Sequence, residues 1–153
     1  MDISATLRRR MFIGEYQHSV DEKGRIAVPA KFRAVLRRGV VVTRGLDSCL
    51  FVYTQAEWGK LVAKLAALPL AKANTRAFAR LMLAGAMDVS PDGQGRISVP
   101  EYLRQFAGLG KQVVIAGLYN RLEIWDAAKW NEYKKQTEGK SVEISEALGE
   151  LGV

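Results

Sequence analysis

Apolar positions along this chain fall into short runs of β-branched and aromatic residues, bounded by glycine, proline or charged residues. The runs recur in the same order twice. VDEKGRIAVP, residues 20–29, reappears as PDGQGRISVP, residues 91–100, and both hold D-x-x-G-R-I-x-V-P. After a one-residue insertion, residues 40–58 align with 112–130. Val41, Val42, Gly45, Leu46, Leu50, Ala56 and Trp58 match Val113, Val114, Gly117, Leu118, Leu122, Ala128 and Trp130. An internal duplication of this length sets the architecture.

Each copy predicts the same elements. A strand ends near Val20 or Val89, and a tight turn follows through Gly24 or Gly95. A second strand runs over Arg25–Val28 or Arg96–Val99, stopped by Pro29 or Pro100, which lack the N–H of a sheet interior. A short helical turn is expected at 30–37 and 101–107. Strands follow at about 40–44 and 49–53, and at 112–116 and 122–125. A helix closes each copy: 55–68, with Trp58, Leu61, Val62 and Leu65 on one face, and 127–138, with Trp130 and Tyr133. Between the copies, 74–86 reads as a helix with Phe78, Leu81, Met82 and Gly85 on one side and Asn74 as its N-cap. From Gly139 the tail is acidic and forms either a short helix carrying Ile144 and Leu148 or a loose segment. The expected organisation is an extension over 1–10 and a first repeat over 15–58 with its helix to about 68. A connecting helix covers 74–86, a second repeat 87–130 with its helix to about 138, and a tail 139–153.

The chain's 153 residues and 48% apolar content suit one compact domain or two very small ones. No apolar run approaches the ~18–20 residues of a membrane span. The opening MDISATLRRRMF has no apolar stretch before a cleavage site, so a cytosolic protein is expected. One cysteine, Cys49, and one histidine, His18, argue against a disulfide and a zinc site, and no metal or cofactor is expected. The net charge is +7 with a pI near 9.7. Residues 1–76 hold 14 Lys/Arg against 6 Asp/Glu, whereas 77–153 hold 9 against 10, so the basic character lies in the first half. That imbalance suggests an anionic partner.

D-E-K-G and D-G-Q-G both suit a type I turn, with Asp accepting from turn amides and Gly supplying positive φ. If Ile26 and Val28 face the core, strand alternation turns Arg25 outward, and Arg96 likewise against Ile97 and Val99. The Asp four residues earlier can orient each guanidinium. An oriented, exposed arginine fork matches phosphate oxygens or the O6/N7 edge of guanine. A single D-x-x-G-R is a good hairpin turn and nothing more; the pair is what raises a binding role. Four short strands leave open edges, so the copies are expected to interleave about a pseudo-twofold axis and bring both turns to one face.

MFIGEYQHSVDEKGRIAVPAKFR (11–33), the second D-x-x-x-R at 92–96 and the Trp-ended strand-helix units resemble the bacterial MraZ family over about residues 11–138. That family resembles a tandem SpoVT-AbrB domain. The resemblance implies a β-rich α+β fold in which two pseudo-symmetric repeats form one swapped-hairpin, double-psi-like β-barrel with peripheral helices. It also implies a transcriptional regulator, a repressor, of the cytoplasm and nucleoid. Its expected partner is double-stranded DNA with tandem G-rich direct repeats upstream of the division and cell-wall gene cluster, its own promoter included. A homo-oligomeric ring, an octamer, is implied as well. Carried over residue by residue, the DNA-binding positions are Asp21, Lys23, Arg25, Asp92 and Arg96. Gln94 stands where the first copy has Lys23, so the second turn is less cationic. Residues 1–10 precede the family's usual start at Met11, so Arg8, Arg9 and Arg10 are either an extra basic arm or a product of start-site choice.

The alternative is an antitoxin-like or AbrB-like module that binds a protein partner, or DNA less specifically. An enzyme is not expected. The turn carboxylates are explained by backbone capping, no catalytic residue stands out, and no Gly-rich phosphate loop or small-molecule substrate is indicated. RNA in place of DNA stays open at this point. Tyr102, Trp125 and Trp130 read as core or subunit-contact residues, and Cys49 as a buried strand residue.

Overall fold

The computed structural model describes residues 11–152, so the expected basic arm at Arg8, Arg9 and Arg10 lies outside the described residues. Strand β1 (Phe12–Ser19) leads through the D-E-K-G turn into β2 (Arg25–Ala27), and Pro29 starts a 3₁₀ turn that runs into the one-turn helix α1 (Arg33–Leu36). Strands β3 (Val40–Arg44) and β4 (Leu50–Thr54) and helix α2 (Gln55–Ala66) complete the first repeat. Helix α3 (Ala73–Ala79) connects it to β5 (Met87–Val89), β6 (Arg96–Ser98), α4 (Glu101–Ala107), β7 (Gln112–Tyr119), β8 (Leu122–Asp126) and α5 (Ala127–Gly139). Helix α6 (Ser141–Ala147) and a 3₁₀ turn at Gly149–Leu151 follow. The closing helix of each repeat starts on the same kind of cap. Thr54 Oγ1 accepts from Glu57 N at 3.2 Å, and Asp126 Oδ2 accepts from Lys129 N at 3.3 Å.

The fold is α+β with an antiparallel six-stranded sheet in the order β1-β7-β8-β4-β3-β5 and a separate ribbon of β2 and β6. The repeats exchange strands. β1 lies against β7 from Phe12↔Tyr119 to Ser19↔Gln112, and β5 lies against β3 from Val40↔Val89 to Val42↔Met87. β4 meets β8 with Phe51 opposite Glu123, and β2 meets β6 with Ile26 opposite Ile97. Each of these two pairs joins equivalent positions of the repeats, so a pseudo-twofold axis passes through both. The expected interleaving is therefore present as strand exchange. The ladder does not close into a barrel among the described residues. β2 and β6 are three residues each, are stopped by Pro29 and Pro100, and pair with one another; one bridge, Val20↔Ile26, ties their ribbon to the strand before it.

The inner strands β3, β4, β7 and β8 are buried on both faces, which is why they read as continuous apolar runs, whereas the edge strands β1 and β5 are largely exposed. One face packs Leu50, Val52, Leu122 and Ile124 against Ile26, Ile97, Phe32 and Leu103, under the ribbon and helices α1 and α4. The other packs Cys49, Phe51, Tyr53 and Trp125 with Leu65 and Met82, against Trp58, Leu61, Phe78 and Trp130 of the longer helices. Cys49 is fully buried just before β4; its thiol donates to Leu46 O at 3.0 Å, and burial pushes its pKa up.

The expected single helix over 74–86 is broken. α3 gives way at Arg80 to a π turn that runs to Ala84, and the cap position is Lys72, not Asn74. Two contacts account for this. Arg76 Nη1 donates to the carbonyls of Leu70 and Ala71, at 2.9 and 3.0 Å, and fastens the incoming chain. Thr43 Oγ1 donates to Met82 O at 2.6 Å, and the widened turn seats Met82 in the core while Leu81 stays exposed. The tail is helical, but Ile144 and Leu148 are largely exposed. No helix among the described residues is long and apolar enough to cross a membrane.

Candidate nucleic-acid interface

The two D-x-x-x-R turns are built alike. In the first, Asp21 Oδ1 accepts from the amides of Lys23 and Arg25, both at 2.9 Å, and Oδ2 accepts from Arg25 Nε at 2.7 Å. In the second, Asp92 Oδ1 accepts from the amides of Gln94 and Arg96, both at 2.9 Å, and Oδ2 from Arg96 Nε at 2.8 Å. Gly24 and Gly95 complete the turns at φ 76° and 74°, where a side chain is disfavoured. The carboxyl groups are held below the usual carboxylate range, first by the arginine backbone amide, then by the arginine side chain and the Lys23 or Gln94 amide, against some desolvation.

The ribbon brings the turns together. Arg25 lies opposite Ser98 and Ala27 opposite Arg96, while Ile26 and Ile97, between them, are buried. Both arginines therefore share the outward face of the ribbon, as strand alternation requires. Each turn is also held by the other repeat: Val28 N donates to Gly95 O at 2.9 Å, and Val99 N to Gly24 O at 3.0 Å. Arg96 Nη1 comes within 3.8 Å of Asp21 Oδ2, so Asp21 faces both arginines. Lys23 is exposed, as is Gln94 in its place on the second turn.

The family model described as "MraZ protein, putative antitoxin-like" matches residues 11–81 and again residues 82–149. The chain belongs to the MraZ family. Its two family matches follow the duplication and divide the chain within the π turn, ahead of β5. The chain is 50% identical to the transcriptional regulator MraZ of Halothermothrix orenii over 143 residues, which is 94% of this chain and all of the relative. It is 48% identical to that of Acetivibrio thermocellus and 49% to that of Natranaerobius thermophilus, over the same shares. A MraZ protein is not an enzyme, in agreement with turn carboxylates spent on amides and guanidinium groups.

Two further arginines stand at these MraZ turns, and the sequence reading missed them. A Cβ on Gly95 would sit 2.5 Å from Arg33 Nε, and one on Gly24 would sit 2.8 Å from Arg104 Cζ. Each guanidinium thus lies across the turn glycine of the other repeat. The signal was available: both copies place an arginine at the same offset after the motif, in AKFR and in EYLR. Trp125 is buried and Trp130 packs against it at 5.3 Å between ring centroids. Tyr102 is 39% exposed, and its hydroxyl donates to Gly85 O at 2.9 Å. Among the described residues no group of three or more His, Cys, Asp and Glu is placed to hold a metal ion.

Proposed function

We propose that this chain is a DNA-binding transcriptional regulator of the cytoplasm and nucleoid, reading DNA through Asp21, Lys23, Arg25, Asp92 and Arg96. The observation that carries the reading is the pair of carboxylate-braced arginines on one outward face of a two-stranded ribbon. A ribbon of this kind fits the major groove. The aspartates engage Nε, which leaves both Nη groups of Arg25, and those of Arg96 with its Nη1 3.8 Å from Asp21 Oδ2, to donate to guanine O6 and N7. Lys23 supplies a point charge to phosphate, and the net charge of +7 favours the encounter. Relatives named transcriptional regulators support the regulatory role.

The site assigned is tandem G-rich direct repeats in the DNA upstream of the division and cell-wall genes, the chain's own promoter included, bound as a repressor, with successive subunits rather than the two twofold-related heads of one subunit taking successive repeats. The strand exchange supports a swapped-hairpin architecture for the paired repeats. A closed ring of identical subunits, an octamer, would set several heads on one duplex.

Titration of a fluorescent duplex from upstream of the gene tests the reading. Arg25→Ala and Arg96→Ala should each remove about 1–3 kcal/mol per contact made. If both variants keep wild-type affinity, the reading fails.

A further inference from the structure

Arg33 and Arg104 occupy equivalent places in the two repeats, and each reaches across the pseudo-twofold axis. Arg33 opens α1 of the first repeat and lies on Gly95 of the second; its Cδ would be 2.8 Å from a Cβ there. Arg104 in α4 of the second repeat lies on Gly24 of the first, where its Nε would be 3.0 Å from a Cβ. A Cβ at either turn would push these side chains off the glycine, and the positive φ already favours glycine there. Arg104 is tied further, since its Nε donates to Val99 O at 3.0 Å and Val99 N in turn donates to Gly24 O. Arg33 rests on its turn by packing. A hollow of about 150 Å³ lies between Arg33, Arg37 and the turn residues Asp92, Gly93 and Gly95. A second, of about 450 Å³, lies between Arg104, Lys23 and Glu101. Each reading turn is thus backed by the other repeat's arginine, with a hollow between the two elements.

We propose that Arg33 and Arg104 are positioning residues that act crosswise: Arg33 sets the aim of Arg96, and Arg104 sets the aim of Arg25. The inference rests on the DNA-reading role proposed for those turns. A planar, permanently charged guanidinium covers a flat glycine peptide in a way that a lysine ammonium does not. Removing the guanidinium frees the turn without touching the side chain that meets the DNA. A mutation of this kind costs affinity only through the residue it positions, so the two losses are non-additive.

The test is a set of double-mutant cycles on the full chain, read with a duplex from upstream of its own gene and with a scrambled duplex of the same composition. Arg33→Ala and Arg104→Ala should each weaken binding to the upstream duplex by about tenfold and leave the scrambled duplex unchanged. Arg33→Ala should add little to Arg96→Ala and its full factor to Arg25→Ala; Arg104→Ala should show the reverse. Arg33→Lys should recover only part of the loss. Equal loss on both duplexes with a lower salt slope would make these arginines phosphate contacts, and full additivity everywhere would make them bystanders; either overturns the proposal.

A DNA-free measurement separates the two readings. Arg33→Ala should speed hydrogen exchange at Arg96 Nε–H and not at Arg25, and Arg104→Ala the converse, by NMR. Crosswise exchange with Arg25→Ala and Arg96→Ala still binding normally would uphold the positioning and sink the DNA-reading role. Exchange unchanged at both arginines sinks the positioning whatever the DNA result. Arg33→Lys carries the same cycles if Arg33→Ala lowers the melting temperature.

Discussion

At Asp21 one carboxylate oxygen caps two amides while the other holds the Arg25 guanidinium, so a single side chain fixes both the turn and its arginine. Asp92 repeats this at Arg96. Folding depresses both carboxyl pKa values. The stability they contribute is then fully present above the unfolded value, near 3.8, and is lost as pH falls through the lower folded value. Carboxyl carbon NMR should show Asp21 and Asp92 protonating below the ordinary aspartate range; midpoints at or above it would remove the brace from the account. Arg25→Lys keeps a charge but loses the fork. It should spare binding to a scrambled duplex and erase preference for the upstream repeats. Retained preference in a competition assay would mean that the fork reads no base.

At the scale of elements, the centre of the sheet breaks the pseudo-symmetry. Phe51 of β4 faces Glu123 of β8, a buried carboxylate held by Arg121 Nη2 at 2.9 Å and Trp125 Nε1 at 3.0 Å. The Arg121 guanidinium also lies 4.7 Å from the Phe51 ring centroid. Arg121→Ala strips the ion partner from Glu123 and should cost about 3 kcal/mol by urea unfolding. A change near zero would show that solvent satisfies Glu123 without it. This network was not legible beforehand, because the apolar run around Phe51 gives no sign that the matching position of the other repeat buries an acid. The repeat, its turns and the Asp–Arg pairing were legible, since each depends on residues close in sequence. What escaped depends on contacts between distant residues: the π turn seated by Thr43 on Met82, the unexpected Lys72 cap position, and the arginines that reach across the axis.

Over the whole molecule, apolar surface and charge make separate demands. Leu68, Leu70, Leu81, Leu83 and Met87 are exposed along the segment that joins the repeats. A head-to-tail contact that covers them and closes would give the proposed ring. A stable monomer in light scattering at micromolar concentration would count against it. The charge demand is read with salt. Each phosphate neutralised lowers log affinity with a slope of about −0.9 in log salt. A ring that lays several ribbons on one duplex should therefore show a slope several times that of a single contact. Lys23→Gln gives the first turn what the second already has at Gln94. It removes one point charge per subunit and no fork, so affinity for all sequences should fall alike and the slope should become shallower by about 0.9 for every subunit engaged. The change in slope thus counts the heads seated on the DNA. Arg25→Lys on the same duplexes should leave the slope unchanged. A wild-type slope near that of one contact would mean that the subunits do not share one duplex, and a Lys23→Gln slope equal to wild type would mean that Lys23 does not meet phosphate.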